Sequence, residues 1–256
     1  KILLERRVEA SRAPEPNCEP HPEPSCMGEI NGFRSAFFID TEARVLRLPT
    51  LTGAVTWWSK TLLLLGNLPL AFYCTGPNPR RGLVMLCTGG FVGRVLFQMS
   101  LLWSRSIPWK EVLFEAGGII PVSIASLAYG ASQAARPPGI WSGLGLCSFL
   151  FGSGLNLVPE YTRHVWKRKP ENKGKLYREG LFALARHINY TGEIVSFVGF
   201  SMVTGALWTL WVPLAMGLGM STFSVWEIEF YLSQRYAKEW PSYVDEVPSI
   251  LVPGVW

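Results

Sequence analysis

Six apolar stretches dominate the pattern of hydrophobic and polar positions, at about 54–74, 82–103, 111–131, 138–158, 181–204 and 206–226. At 1.5 Å of rise per residue, about 20 residues make one helix across a hydrocarbon layer of roughly 30 Å. Breakers separate them where turns are expected: Gly76-Pro77-Asn78-Pro79, Ile107-Pro108-Trp109 and Arg136-Pro137-Pro138-Gly139. The pattern predicts an all-α, polytopic membrane protein with about six transmembrane helices (five to seven, depending on boundaries) and an amphipathic C-terminal tail helix. Residues 1–50 read differently. Arg12–Cys26 is rich in Pro and Glu, and Phe33–Leu48 mixes apolar and charged residues and is expected to lie along the membrane surface. Two regions follow: an extended N-terminal extension, 1–50, and a membrane domain, 51–256.

Composition strengthens this reading. Hydrophobic residues make up 48% and charged residues only 17%, against about 25% charged in soluble domains. The formal charge of +5 does not imply nucleic acid, because no basic patch is interleaved with exposed aromatics. Instead the excess flanks the spans. With six spans, one side carries seven Lys/Arg before residue 50, then Arg105 and Lys110, then Arg163, Lys167, Arg168, Lys169, Lys173, Lys175 and Arg178. The other side carries Arg80, Arg81 and Arg136. By the positive-inside rule the basic side faces the cytoplasm or its organellar equivalent, and the asymmetry favours an even number of spans. The chain opens at Lys1 with no apolar leader, so the spans themselves are expected to direct insertion.

Of the five cysteines, Cys74, Cys87 and Cys147 lie in apolar stretches, as small buried hydrophobes do. Cys18 and Cys26 sit eight apart with no second Cys or His pair at zinc spacing; no metal site is expected, and nothing selects a disulfide over two thiols. Within the spans, Lys60 is expected to snorkel, and Arg94 and Glu115 to pair between helices.

Chemistry concentrates in one stretch, Gly180–Glu193. On a helix, Arg186, Asn189, Tyr190 and Glu193 are related by steps of three and four and share a face. Ionisable groups at membrane depth face a bundle interior or a wet cavity; the plainer reading is a polar stripe that holds helices together. The run Ala185-Arg186-His187-Ile188-Asn189-Tyr190-Thr191-Gly192-Glu193 resembles the Arg-His-x-Asn-Tyr-x-Gly-Glu/Asp signature of the membrane steroid 5α-reductases and sterol reductases. The tail agrees: Arg235-Tyr236-Ala237-Lys238-Glu239-Trp240-Pro241-Ser242-Tyr243, then Val247-Pro248 and Val252-Pro253-Gly254, resembles the sterol-reductase ending. The resemblance covers residues 176–256.

That resemblance implies hydride transfer from NADPH to an activated double bond of a sterol, steroid or other hydrophobic enone. It implies that Tyr190 and Glu193 polarise the substrate as catalytic residues. Asn189 would hold the nicotinamide amide, Arg186 a phosphate with His187 assisting, and Glu229, Arg235 and Tyr243 further parts of the cofactor. A carboxylic acid in an apolar cavity stays protonated more readily, and so serves as a donor. The same superfamily holds isoprenylcysteine and phospholipid methyltransferases, which use S-adenosylmethionine; Glu229 with Leu232 keeps that branch open. There are departures too. The basic residue and Cys of the sterol-reductase helix are absent after Glu229, Tyr243 precedes Val244, and Ala237 replaces a Gly. A third reading, an inactive fold-retaining subunit of a larger membrane complex, stays open with them.

The expected surroundings are membrane lipids, a hydrophobic small-molecule substrate and no nucleic acid. The endoplasmic reticulum is the expected membrane, with mitochondrial or plastid membranes as alternatives. Glu15, Glu19, Glu23 and Glu29 make the N-terminal extension acidic, so it is expected to adhere to a basic surface, either Arg163–Arg178 or a neighbouring subunit.

Overall fold

The computed structural model describes residues 51–103 and 107–255; the expectations for 1–50, Cys18 and Cys26 among them, lie outside these residues. The described residues are all helical, without strands. Helix α1 is Leu51–Thr75. Helix α2, Arg81–Phe97, runs on as a π-helical turn over Gln98–Leu102. Helix α3 starts at Trp109–Glu111, is π-helical over Val112–Ile119 and regular over Ile120–Ser132. Helix α4 is Ile140–Lys167 and α5 is Ile188–Thr204. Helix α6 runs through Trp211–Gly219, a π turn at Met220–Ser224, and Val225–Arg235; α7 is Trp240–Glu246.

By length and composition, Arg81–Leu102, Trp109–Ser132 and Ile140–Lys167 can each cross a bilayer. Large apolar side chains point away from the protein at Trp58, Leu62 and Phe72 on α1, Trp141 and Phe151 on α4, and Leu214 and Leu218 on α6. That is the pattern of a chain dissolved in lipid. The core is shared among helices: Leu64, Val84, Phe91, Ile124, Leu127, Phe149, Phe197, Phe200 and Val203 form one buried cluster.

In lipid the hydrophobic effect does not drive helices together, so close approach and polar contacts must. Helices α4 and α5 approach most closely. Gly145 and Gly152 on one face Gly192 and Gly199 on the other, both pairs spaced by seven. A Cβ at Gly199 would sit 2.4 Å from Phe149 N, and one at Gly192 2.4 Å from Asn156 N. At these positions backbone touches backbone. Helices α1 and α3 are joined otherwise. Lys60 Nζ, fully buried, donates to Glu111 (2.5 Å) and Glu115 (2.7 Å) and lies 4.9 Å from the centre of the Trp103 ring. Lys60 therefore does not snorkel; two carboxylates supply inside the protein what the interface would supply outside it. Glu115, engaged by Lys60, is not the partner of Arg94.

Two elements depart from the apolar pattern. The stretch 181–204 was expected to be helical throughout, yet its first part is a short 3₁₀ turn, Gly180–Ala183, and an irregular segment up to His187. The reason is hydrogen bonding: Arg186 N and His187 N donate to Ser249 O (3.0 Å) and Ile250 O (2.8 Å) of the C-terminal tail. Their amides are engaged outside the helix, so no continuous helix runs through them, and α5 begins at Ile188 after the non-helical His187 (φ −127°, ψ 43°). The tail is also not one amphipathic helix. Residues 225–235 continue α6, the chain breaks at Tyr236, and Pro241 in the first turn opens the separate α7.

At the far end Arg80, buried, gathers four segments. Its guanidinium donates to Arg136 O (3.3 Å), Pro137 O (3.2 Å), Ser142 Oγ (2.6 Å) and Val203 O (2.8 Å). Gly205 caps α5 at φ 73°, and a Cβ there would meet Arg80 Cζ at 2.7 Å. Only glycine satisfies both demands.

Candidate functional site

The polar residues of the α5 entry meet three other elements. Arg186 Nε and Nη2 donate to Glu229 Oε1 (2.7 Å) and Oε2 (3.2 Å), a two-point guanidinium–carboxylate contact. Arg186 Nη1 donates to Val247 O (2.6 Å) and Pro248 O (3.2 Å). His187 Nε2 lies 3.1 Å from Glu229 Oε1, and its ring stacks on Tyr190 at 5.5 Å. Burial pushes the Glu229 carboxyl up, but hydrogen bonds from His187 and Arg186 and their charges outweigh it and hold it below the ordinary value of 4.5. This cluster clamps the C-terminal tail onto the start of α5.

One turn further in lies a second cluster. Glu193 is paired with Arg94 on α2, Oε1 to Nη2 at 2.8 Å and Oε2 to Nη1 at 2.6 Å. Gln98 Nε2, a turn beyond Arg94, donates to Asn156 Oδ1 (2.8 Å), whose Nδ2 donates to Asn189 O (2.9 Å). Asn189 Nδ2 donates to Glu160 (3.0 Å), which also pairs with Arg163. Asn189 Oδ1 and Arg94 Nε are buried without a hydrogen-bond partner, and Arg94 Nη1 is held by its ion pair with Glu193 alone.

Asn189, Tyr190 and Glu193 thus share the start of α5, and Arg186, His187 and Glu229 gather beside it. Arg186 precedes the helix, so the expectation that it shares a helical face with Asn189 and Glu193 is replaced by contact through the tail. Its donors are largely engaged within the chain, and a phosphate would have to displace Glu229. Arg235 stands apart from the two clusters, whereas Tyr243 lies within electrostatic reach of Arg186 and Glu229 of the first. Arg235 is exposed beside Tyr236 and lines a depression of about 290 Å³ with Lys238 and Gly174. Tyr243 is buried and donates to Phe182 O (2.8 Å), with its hydroxyl pKa pushed up by burial. Tyr243 ties α7 to the Gly180–Ala183 turn. Gln98, Asn156 and Glu160 escaped the sequence reading. A signal existed: Asn156, Glu160 and Arg163 recur at steps of four and three on an otherwise apolar helix, and Arg94 and Gln98 are four apart.

As a seat for a dinucleotide, the amide end fits. Asn189 Oδ1 is buried without a hydrogen-bond partner and could accept from an amide N–H such as that of a carboxamide. Arg235 and Lys238 are exposed cations that could meet a phosphate.

A family described as a protein of unknown function (DUF1295) matches residues 112–247, from α3 to the end of α7. The chain belongs to this steroid 5α-reductase-like family. It is 32% identical over 105 residues to a probable O-methyltransferase, ustE, of Ustilaginoidea virens, covering 41% of this chain and 34% of that one. It is 26% identical over 192 residues to 3-oxo-5-alpha-steroid 4-dehydrogenase 2 of Rattus norvegicus, covering 70% of this chain and 72% of that one. It is also 27% identical to 7-dehydrocholesterol reductase of Xenopus laevis over 36% of this chain and 22% of that one. The chain therefore spans only 34% of the methyltransferase and 22% of the sterol reductase.

Proposed function

We propose that the protein is a membrane reductase that saturates a C=C bond of a sterol, steroid or other hydrophobic enone with NADPH as cofactor. The observation that carries this reading is the convergence of Asn189, Glu193 and Tyr190 on the first turns of α5, in a chain whose family relatives include a steroid dehydrogenase and a sterol reductase. When bound, NADPH supplies the hydride. Asn189 Oδ1 accepts from the carboxamide, and Arg235 and Lys238 supply positive charge toward the phosphates. Glu193 and Tyr190 bind and polarise the substrate oxygen, with Arg94 competing for both oxygens of Glu193 until substrate arrives. The Arg186–Glu229–His187 clamp positions α5 by holding its entry against the tail. In this reading all six apolar stretches span the membrane, the site opens on the basic, cytoplasmic side, and the endoplasmic reticulum is the membrane.

The test is NADPH oxidation by the detergent-purified protein with a panel of steroid enones and sterols. Glu193→Gln should lower turnover by about 10²–10³, the usual cost of one hydrogen-bonding group at a centre of developing charge, in a variant that still folds but melts lower because buried Arg94 loses its charged partner. Undiminished oxidation in the variant overturns the role of Glu193. A second reading, methyl transfer from S-adenosylmethionine, is favoured by Glu229 and by the match to the probable O-methyltransferase. Transfer of labelled methyl to a lipid acceptor, without NADPH oxidation, would establish it instead.

A further inference from the structure

Helix α4 is longer than a bilayer's hydrocarbon core. Its 28 residues extend about 42 Å, and roughly 30 Å of that suffices to cross. The C-terminal two turns therefore emerge into the headgroup layer on the basic side. There a groove of about 230 Å³ opens, lined by Tyr161, Thr162, Val165, Trp166, Lys169 and Tyr177. Its floor is aromatic: Trp166 and Tyr177 lie 5.3 Å apart, and Tyr177 is buried. Its lower edge is apolar and faces outward, because Val158, Tyr161 and Val165 follow one another at steps of three and four, 51%, 50% and 43% exposed. Its lining ends in the cation Lys169, and both Lys169 and its sequence neighbour Arg168 are exposed. Acyl-facing residues, an aromatic belt and then cations make the order in which a lipid presents chain, glycerol and phosphate.

We infer that this groove binds the headgroup of an anionic phospholipid, its phosphate against Lys169 and Arg168 and its upper chain along Val165 and Tyr161. Charge alone does not single out this place, since the loop carries cations throughout. The coincidence of cavity, aromatic floor and membrane depth does. The site is separate from Asn189 and Glu193, and the inference holds whichever reaction the protein performs.

The experiment titrates the full chain in dodecyl maltoside with dioctanoyl-phosphatidylglycerol or dioctanoyl-phosphatidylcholine, counting bound lipid by native mass spectrometry. Phosphatidylglycerol should bind and phosphatidylcholine should not. Lys169→Gln should weaken binding about fivefold, and Arg168→Gln with Lys169→Gln about 25-fold. Thr162→Trp, which fills the groove and changes no charge, should abolish binding, whereas Lys173→Gln with Lys175→Gln should leave it intact. A melting curve of each variant confirms that it is folded. Four results overturn the inference. Loss of binding in Lys173→Gln with Lys175→Gln equal to that in Arg168→Gln with Lys169→Gln means diffuse attraction to the loop. Retained binding in folded Thr162→Trp places the lipid elsewhere. Competition by inorganic phosphate at matched concentration makes it a free-phosphate site. Binding that emerges only after Glu15, Glu19, Glu23 and Glu29 are changed to Gln makes the chain's own acidic segment the occupant.

Discussion

Two helix pairs in this protein are joined by opposite means. Between α4 and α5 the joint is the absence of side chains, four glycines that let backbones meet. Between α1 and α3 it is charge, one buried lysine held by two carboxylates. The glycine joint fixes distance without any adjustable part, and it carries Asn189 and Glu193. The charged joint tolerates small shifts, since a flexible side chain spans the gap, and it lies outside the matched family region on the α1 side. The difference teaches where precision is needed. A site built from short polar side chains on α5 requires the rigid contact, while the peripheral helix requires only attachment.

The comparison breaks most readily at Gly199. Gly199→Val puts a branched side chain where even one carbon meets backbone at 2.4 Å. It should destabilise by about 3 kcal/mol or more, beyond ordinary overpacking because neither backbone can yield. A large fall in the melting temperature in detergent checks this; a native melt would show that the helices part without penalty. Lys60→Met should cost less, about 2 kcal/mol. That is below the roughly 3–5 kcal/mol of a fully buried broken pair, because the Glu111 and Glu115 side chains are 16% and 44% exposed. Adding Glu111→Gln and Glu115→Gln should recover most of the loss, a rescue with no counterpart at the glycine joint.

The clamp at the tail should respond to acid. Because the folded Glu229 pKa lies below its ordinary value, the stability it adds is fully present above pH 4.5 and fades as pH falls through the lower, folded value. Limited proteolysis of the tail should accelerate in that window, and Glu229→Gln should remove the pH dependence there and weaken the tail by about 1–3 kcal/mol at neutral pH. Arg178→Gln should have the smallest effect, under about 1 kcal/mol, because its pair with Glu246 is exposed on both sides.

The helical class and the membrane setting were legible because both rest on long apolar runs, which composition and period expose directly. The site residues were legible as a motif, but their arrangement was not. Helical spacing carried through 180–193 put Arg186 on the face of Asn189, whereas carbonyls some 60 residues later, at Ser249 and Ile250, take the amides of Arg186 and His187. No local pattern encodes a partner that distant. The same holds for Arg94, whose choice of Glu193 over Glu115 depends on which helices adjoin. The glycines were visible, yet their role as a contact surface needs the facing helix.

Arg80 has a consequence for the order in which this protein is made. Its acceptors at Ser142 and Val203 lie 62 and 123 residues downstream. During synthesis the turn that holds Arg80 is therefore made before these acceptors exist, and only the arrival of α5 completes the set. The cation thus ties an early turn to a late helix: a chain ending before Val203 has the acceptors at Arg136, Pro137 and Ser142 but lacks the one that locks α5 to them.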